Sequence, residues 1–349
     1  MQRLQRLDGM RGLLAVYVML GHGLPLAVSP AWLGWLFSHG QAAVDLFFAL
    51  SGLVIIGSLE RHGWRMLPFM AARARRLLPA YVLVLGIAML AEAQGDPLRA
   101  LPWAGVAARQ IVSPALPSPV WPHLLAHLTL LHGLIPNRWL PYGWVTLLGP
   151  AWSLSTEWQF YLLIAAIGLV APRRSGFAIA GLLGIAILYQ SLPLDGAFSR
   201  AFLPVEAGWF ALGLASRIWL RENRLAPFIA CLACVIGLAW LTGPGKILTA
   251  LAWACLMLAQ RRNWGRVLAW RPLLYLGAIS YPLYLVNEPV ERLLALGLGP
   301  PLAHAPLLFS LAFLPLSVLA SLAAAILLHH GVERPFMREN KKFLPSIIA

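Results

Sequence analysis

Residues 6–23, RLDGMRGLLAVYVMLGHG, run from a charged head straight into an apolar stretch that carries one histidine near its end. Read as a helix at about 100° and 1.5 Å per residue, Arg11 and His22 fall within about 20° of one face and about 16 Å apart along the axis. That separation is about half the ~30 Å hydrocarbon core of a bilayer. A cation at a membrane surface and an imidazole near mid-membrane on the same face is a costly arrangement, and ionisable groups at such depth are usually functional. The stretch also mimics a signal peptide, with Arg3, Arg6 and Arg11 ahead of LLAVYVMLG. The cleavage-site chemistry after it is poor, so it reads as a retained first span.

The rest of the chain agrees with a membrane solvent. Its 349 residues are 60% hydrophobic and 11% charged, with a mean hydropathy of +0.73, which is more apolar surface than a soluble domain of this length can hide. The composition predicts an all-α, polytopic transmembrane helix bundle. A formal net charge of +14 does not point to nucleic acid, because Lys and Arg stand in short clusters between apolar runs, where they act as topology signals. Cys231, Cys234 and Cys255 all lie inside apolar runs and read as helix packing, neither a disulfide framework nor a zinc site.

Runs long enough to span are roughly 9–28, 42–59, 77–92, 151–171, 176–192, 201–219, 225–242, 246–260, 273–298 and 305–330, about ten in all. With the N-terminus inside, about 21 of the 27 Lys and Arg fall on the cytoplasmic side, including ERHGWRMLPFMAARARR and PRRS. Arg99, Arg109, Arg138, Arg200 and Lys246 fall outside, and Arg292 lies near the outer end of the ninth run. Both termini are therefore expected in the cytoplasm. The chain reads as one domain, 1–349, with a cytoplasmic tail from about 331. The long outer connection 93–150 holds HLLAHLTLLHGLIP, which suits an interfacial or re-entrant helix better than a span. Its histidines, His123, His127 and His132, have no carboxylate or cysteine beside them, so they read as packing and no metal is expected.

Sorted by depth, the polar residues form two groups. Asp8, Arg11 and the cluster Arg73, Arg75, Arg76 sit at the cytoplasmic face. Guanidinium forks of this kind grip phosphate oxygens bidentately, or they enforce topology and touch anionic headgroups. In the outer half, His22, Asp45, Glu157 and the pair Asn287–Glu288 come to one layer from four spans. Singly, each could be an interhelical hydrogen-bonding residue. Together they favour a shared cavity with two mouths, as in a transporter or in an enzyme that passes a group across the bilayer. Trp144, Trp152 and Trp158 read mainly as interfacial belt, with stacking on a sugar as the alternative.

At these same positions the chain resembles the acyltransferase family 3 of integral-membrane O-acyltransferases, in its stand-alone form without a fused hydrolase-like domain. RLDGMRG followed by His22 is similar to its first-helix motif and AAVDLFFALSGLVI to its second-helix signature. Arg73 and Arg76 before LLPAY resemble its Arg-x-x-Arg motif, AWSLSTEWQFYLL its central block, and ISYPLYLVNEPV and VERPF its closing blocks. The match runs in order from residue 3 to about 336. One departure stands out, since Asn287 occupies the place where the family usually has histidine, and an amide cannot take a proton.

The resemblance implies acyl transfer, most often of acetyl, from cytoplasmic acyl-CoA to a hydroxyl of a cell-surface or exported glycan or related acceptor at a bacterial inner membrane. No permanently bound cofactor is implied, and acyl-CoA is the donor substrate. Carried over residue by residue, these are His22 as the catalytic residue and Arg11, Arg73 and Arg76 on the donor. Beside the resemblance, the chemistry of a neutral imidazole makes His22 the expected base, and a nearby carboxylate, Asp45 or Glu157, is expected to tune it or orient the acceptor. Asp8 stands beside those arginines on the donor side. Trp152, Ser153, Tyr284 and Asn287 belong to the acceptor side or back the base. Direct transfer and an acyl-histidine intermediate both stay open. The competing class is a transporter or glycan flippase, against which the chain has no inverted repeat and no paired broken-helix signal. A signalling or scaffold protein is a third class.

Overall fold

The computed structural model describes residues 5–170, 175–194 and 196–338, and every regular element among them is helical. In chain order they are α1 (Gln5–Gly23), α2 (Ala31–Phe37), α3 (Gly40–Arg61), α4 (Met66–Ala93), α5 (Val106–Ile111), α6 (Val120–Leu128) and α7 (Ala151–Val170). These are followed by α8 (Ser175–Ser191), α9 (Leu203–Glu222), α10 (Ala226–Thr242), α11 (Pro244–Arg261), α12 (Arg271–Leu302), α13 (Pro306–Leu328) and α14 (Arg334–Arg338). Ten of them have 17 residues or more, and each coincides with one of the ten apolar runs. Helix is the open-chain solution in lipid because it satisfies every backbone donor and acceptor within the segment. Three segments, Ala31–Arg61, Met66–Ala93 and Pro306–Met337, meet the length and hydropathy for crossing a membrane outright. Residues 172–174 of the expected loop PRRS and the tail beyond 338 lie outside the described residues, and the last residue of that loop, Ser175, opens α8.

Two boundaries differ from the reading by hydropathy. α4 begins at Met66, so Arg73, Arg75 and Arg76 sit within a helix and not in a loop leading to one. α12 runs for 32 residues with Pro282, Pro289, Pro300 and Pro301 inside it, held by neighbours where the prolines withdraw hydrogen bonds. Proline in the first turn starts α9, α10, α12 and α13, and Asn223 in the left-handed conformation ends α9.

The principal pairings are α1 with α12, α3 with α9, and α12 with α13. Small residues let the first two pairs touch backbone to backbone. A Cβ on Gly52 would lie 2.2 Å from the Phe210 carbonyl oxygen, and one on Gly277 would lie 2.0 Å from that of Asp8. At the far end of α4, the buried Arg292 guanidinium donates to the carbonyls of Ala91 (3.2 Å), Ser113 (2.7 Å) and Gly95 (2.6 Å), tying the helix terminus to α12. α6 is a nine-residue helix of the long connection. There His123 bonds Thr146 (2.9 Å) and His127 stacks on His132 with centroids 4.1 Å apart.

Candidate active site

Two cavities meet inside the bundle. The first, of about 430 Å³, is lined by Arg11, Arg61, Arg73 and Arg76 together with Asp8. The α7 stripe Ser153, Glu157, Tyr161 forms another wall, at the i, i+4, i+8 spacing of one helix face. Glu157 accepts hydrogen bonds from the hydroxyls of Ser51 and Tyr161. Arg73 lies with its guanidinium carbon 5.1 Å from the Tyr161 ring centroid and 5.6 Å from that of Phe69. Aromatic faces hold the guanidinium flat without consuming its donors. None of the ion pairs among the described residues uses Arg11, Arg61, Arg73 or Arg76.

The second cavity, of about 1750 Å³, is lined by His22, Gln41, Trp144, Trp152, Arg200 and Glu288, with further residues of the 93–150 connection. Val44 and Tyr284 line both cavities. The partition between them is thus a thin one. Tyr284 Oη lies 2.8 Å from Ser153 Oγ, and the Tyr284 ring meets Phe47 edge-on at 6.1 Å. Helix α1 passes both spaces, with Asp8 and Arg11 on the arginine cavity and His22 on the other.

His22 Nδ1 is 3.0 Å from Asn287 Oδ1. The orientation of that amide is determined by its other end, where Nδ2 donates to the carbonyls of Leu283 (3.0 Å) and Tyr284 (2.8 Å), groups that can only accept. Oδ1 therefore faces the imidazole as an acceptor, Nδ1 carries the hydrogen, and the Nε2 lone pair is left for chemistry. Asn287 is one helical turn from Tyr284, which puts the imidazole beside the partition.

The sequence-predicted residues divide between these spaces. Trp152 lines the histidine cavity, Ser153 the arginine cavity and Tyr284 both. Glu157 shares the arginines' cavity, not the imidazole's, which corrects the single shared layer expected from depth. Asp45 lines neither cavity. It is buried behind Gln41, whose Nε2 donates to Asp45 Oδ1 (2.8 Å) and to Glu206 Oε1 of α9 (3.2 Å). Counting residues from a helix end measures height, but a step of about 100° per residue decides which neighbour a side chain meets. Val44 and Ser51 of α3 face the cavities while Asp45 faces α9. Glu288, grouped with Asn287 by depth, lines the histidine cavity. Ser51, Arg61 and Tyr161 line the arginine cavity and Arg200 the other, and the sequence did not single them out as site residues; Arg61 and Arg200 carry a signal there, as cations at run ends, but one shared with topology.

The acyltransferase-domain profile of acyltransferase family 3 matches residues 4–330, nearly the whole chain. The chain belongs to acyltransferase family 3. Among members of that family, it is similar to the exopolysaccharide production protein ExoZ of Rhizobium meliloti (strain 1021), 27% identical over 334 residues that cover 87% of this chain and 92% of ExoZ. It is 25% identical over 308 residues to the putative membrane-bound transacylase BcsY of Komagataeibacter xylinus, covering 82% and 72% of the two chains. It is 26% identical over 222 residues to the acyltransferase MdmB of Streptomyces mycarofaciens, covering 61% and 51%. No solved structure matches the chain. Membership makes the chain an acyltransferase, with an acyl donor and a polysaccharide or similar acceptor to accommodate.

Proposed function

We propose that this acyltransferase spans a bacterial cytoplasmic membrane about ten times, with both termini inside, and moves an acyl group, most simply acetyl, from cytoplasmic acyl-CoA to a hydroxyl of an exported or cell-surface glycan. One observation carries the reading: an arginine-lined cavity and a histidine-lined cavity abut at Val44 and Tyr284. Arg11, Arg61, Arg73 and Arg76 suit the phosphates of CoA, for which guanidinium forks are matched in charge and geometry. The pantetheine arm then reaches along the Ser153–Glu157–Tyr161 stripe, bringing the thioester to the partition.

On the other side, His22 Nε2 takes the proton of the acceptor hydroxyl as its oxygen bonds to the thioester carbonyl carbon. With Ser153 Oγ donating to it, the Tyr284 hydroxyl keeps its own hydrogen for the oxygen that gains charge. The carbon–sulfur bond breaks, and His22 returns the proton to the departing thiolate. Asn287 holds the imidazole in the tautomer this needs without competing for the proton. The name of one relative, an exopolysaccharide production protein, supports a polysaccharide acceptor, and that of another, a putative membrane-bound transacylase, supports acyl transfer at a membrane.

The test is incorporation of label from radiolabelled acetyl-CoA into exopolysaccharide by purified protein in detergent. The reading predicts label in the polymer and release of free CoA in equal amount. Export or flipping of glycan without label incorporation would favour a transporter instead.

A further inference from the structure

We propose that the histidine cavity selects an acidic sugar, with Arg200 as the anchor for its carboxylate. The proposal rests on the acyl-transfer reading and names its acceptor class more narrowly. The residues lining that cavity include two cations, Arg109 and Arg200, and one carboxyl, Glu288. Arg200 lies with its guanidinium carbon 4.5 Å from the Trp144 ring centroid and 5.6 Å from that of Trp152. Two indole faces thus hold it in place. Indole also supplies the flat apolar platform on which a sugar ring stacks.

The charge of Arg200 is held apart from the acids behind it. Asp45 and Glu206 are buried, and Gln41 stands between them and the guanidinium with its amide oriented by both sides. Gln41 Nε2 faces the two carboxylates, while its Oε1 accepts from Arg200 NH1 at 3.4 Å. Lys246 Nζ, 3.7 Å from Glu206 Oε2, is the cation that pairs directly with Glu206. Among the described residues no carboxylate pairs directly with Arg200, and one of its five N–H donors goes to Gln41. A neutral glycan would need only the indoles and uncharged hydrogen bonds. An exposed, immobilised fork with its edge open matches a planar carboxylate.

Its position suits the chemistry as well. Trp152 directly precedes Ser153, whose hydroxyl meets Tyr284 at the partition, so an anion on Arg200 lies beside the point where the two cavities join. The acyl-accepting hydroxyl would then belong to the acidic residue or to its neighbour in the glycan.

Binding in the absence of any donor tests this. Purified protein is titrated with an oligosaccharide of alternating glucose and glucuronate, and with its carboxyl-reduced, all-glucose counterpart, while tryptophan fluorescence is followed. Wild type is expected to bind the acidic probe about tenfold tighter or more, with the preference eroded by added salt. Arg200→Gln should abolish the preference and leave affinity for the reduced probe unchanged, and Arg200→Lys should restore part of it. Equal binding of the two probes by wild type, or no binding of either, would overturn the proposal without any variant being needed. So would an Arg200→Gln protein that loses affinity for both probes alike, which is the mark of a structural arginine. Acyl transfer is absent from this readout, so failure of the acyl-transfer reading shows itself separately, in label incorporation.

Discussion

His22 Nδ1 and Asn287 Oδ1 are 3.0 Å apart across the α1–α12 interface, and the two carbonyls bonded by Asn287 Nδ2 leave the amide no other orientation. A residue that cannot titrate thereby fixes the tautomer of one that can. Asn287→Ala should lower kcat about tenfold, the equivalent of one net buried hydrogen bond to a reacting group, and leave KM for acyl-CoA unchanged. Steady-state kinetics with each substrate varied in turn check this.

Arg73 and Arg76 line the cavity assigned to the donor, with Arg73 lying against the rings of Phe69 and Tyr161. Arg73→Gln and Arg76→Gln should each raise KM for acyl-CoA by about tenfold or more, as expected for loss of charge-assisted hydrogen bonds. Glycan affinity should not change. Binding of CoA followed calorimetrically would show the same loss, and because the lost pairs are ionic, the gap from wild type should narrow at high salt.

Tyr284 lines both cavities and bonds Ser153 across their boundary. Tyr284→Ala should open the partition to water, so that release of CoA outruns acyl transfer to glycan. Tyr284→Phe keeps the ring as a barrier and should remain coupled, at a rate reduced by about tenfold from loss of one donor. Parallel assays of free thiol and of labelled glycan report the ratio.

The backbone contact of α3 with α9 has no room for a side chain at Gly52, where a Cβ would lie 2.2 Å from the Phe210 carbonyl oxygen. Gly52→Val should destabilise the fold by at least the ~1–3 kcal/mol typical of overpacking, since rigid backbone has to move. Gly237 of α10 has no heavy atom within 4 Å of such a Cβ, and Gly237→Ala should be neutral or stabilising by helix propensity. Thermal unfolding in detergent compares the two.

Helix existence was legible in the sequence because apolar run length is a one-dimensional property, and all ten long helices lie where the runs do. The Arg11–His22 alignment was legible for the same reason, both marks being on one helix. What hydropathy could not supply was rotation about the helix axis. Asp45 and Glu157 were assigned correctly to helices that reach the site, but Asp45 turns to Gln41 and Glu206 on α9, and Glu157 turns to the arginine cavity. Arg61 and Arg200 were visible as cations at run ends, where a topology signal and a ligand site look alike until neighbouring rings and cavities are placed around them. Asn287 stood out as a departure from its family. Its role depends on a contact with a residue 265 positions away.

Turnover by His22→Ala in purified protein, measured alongside binding of acyl-CoA, is the most direct measurement. General-base assistance accounts for about 10²–10⁴-fold, so glycan acylation should fall by that factor while CoA binding in the arginine cavity stays at the wild-type level. Near-wild-type acylation by His22→Ala would contradict a base at this position and with it the two-cavity mechanism.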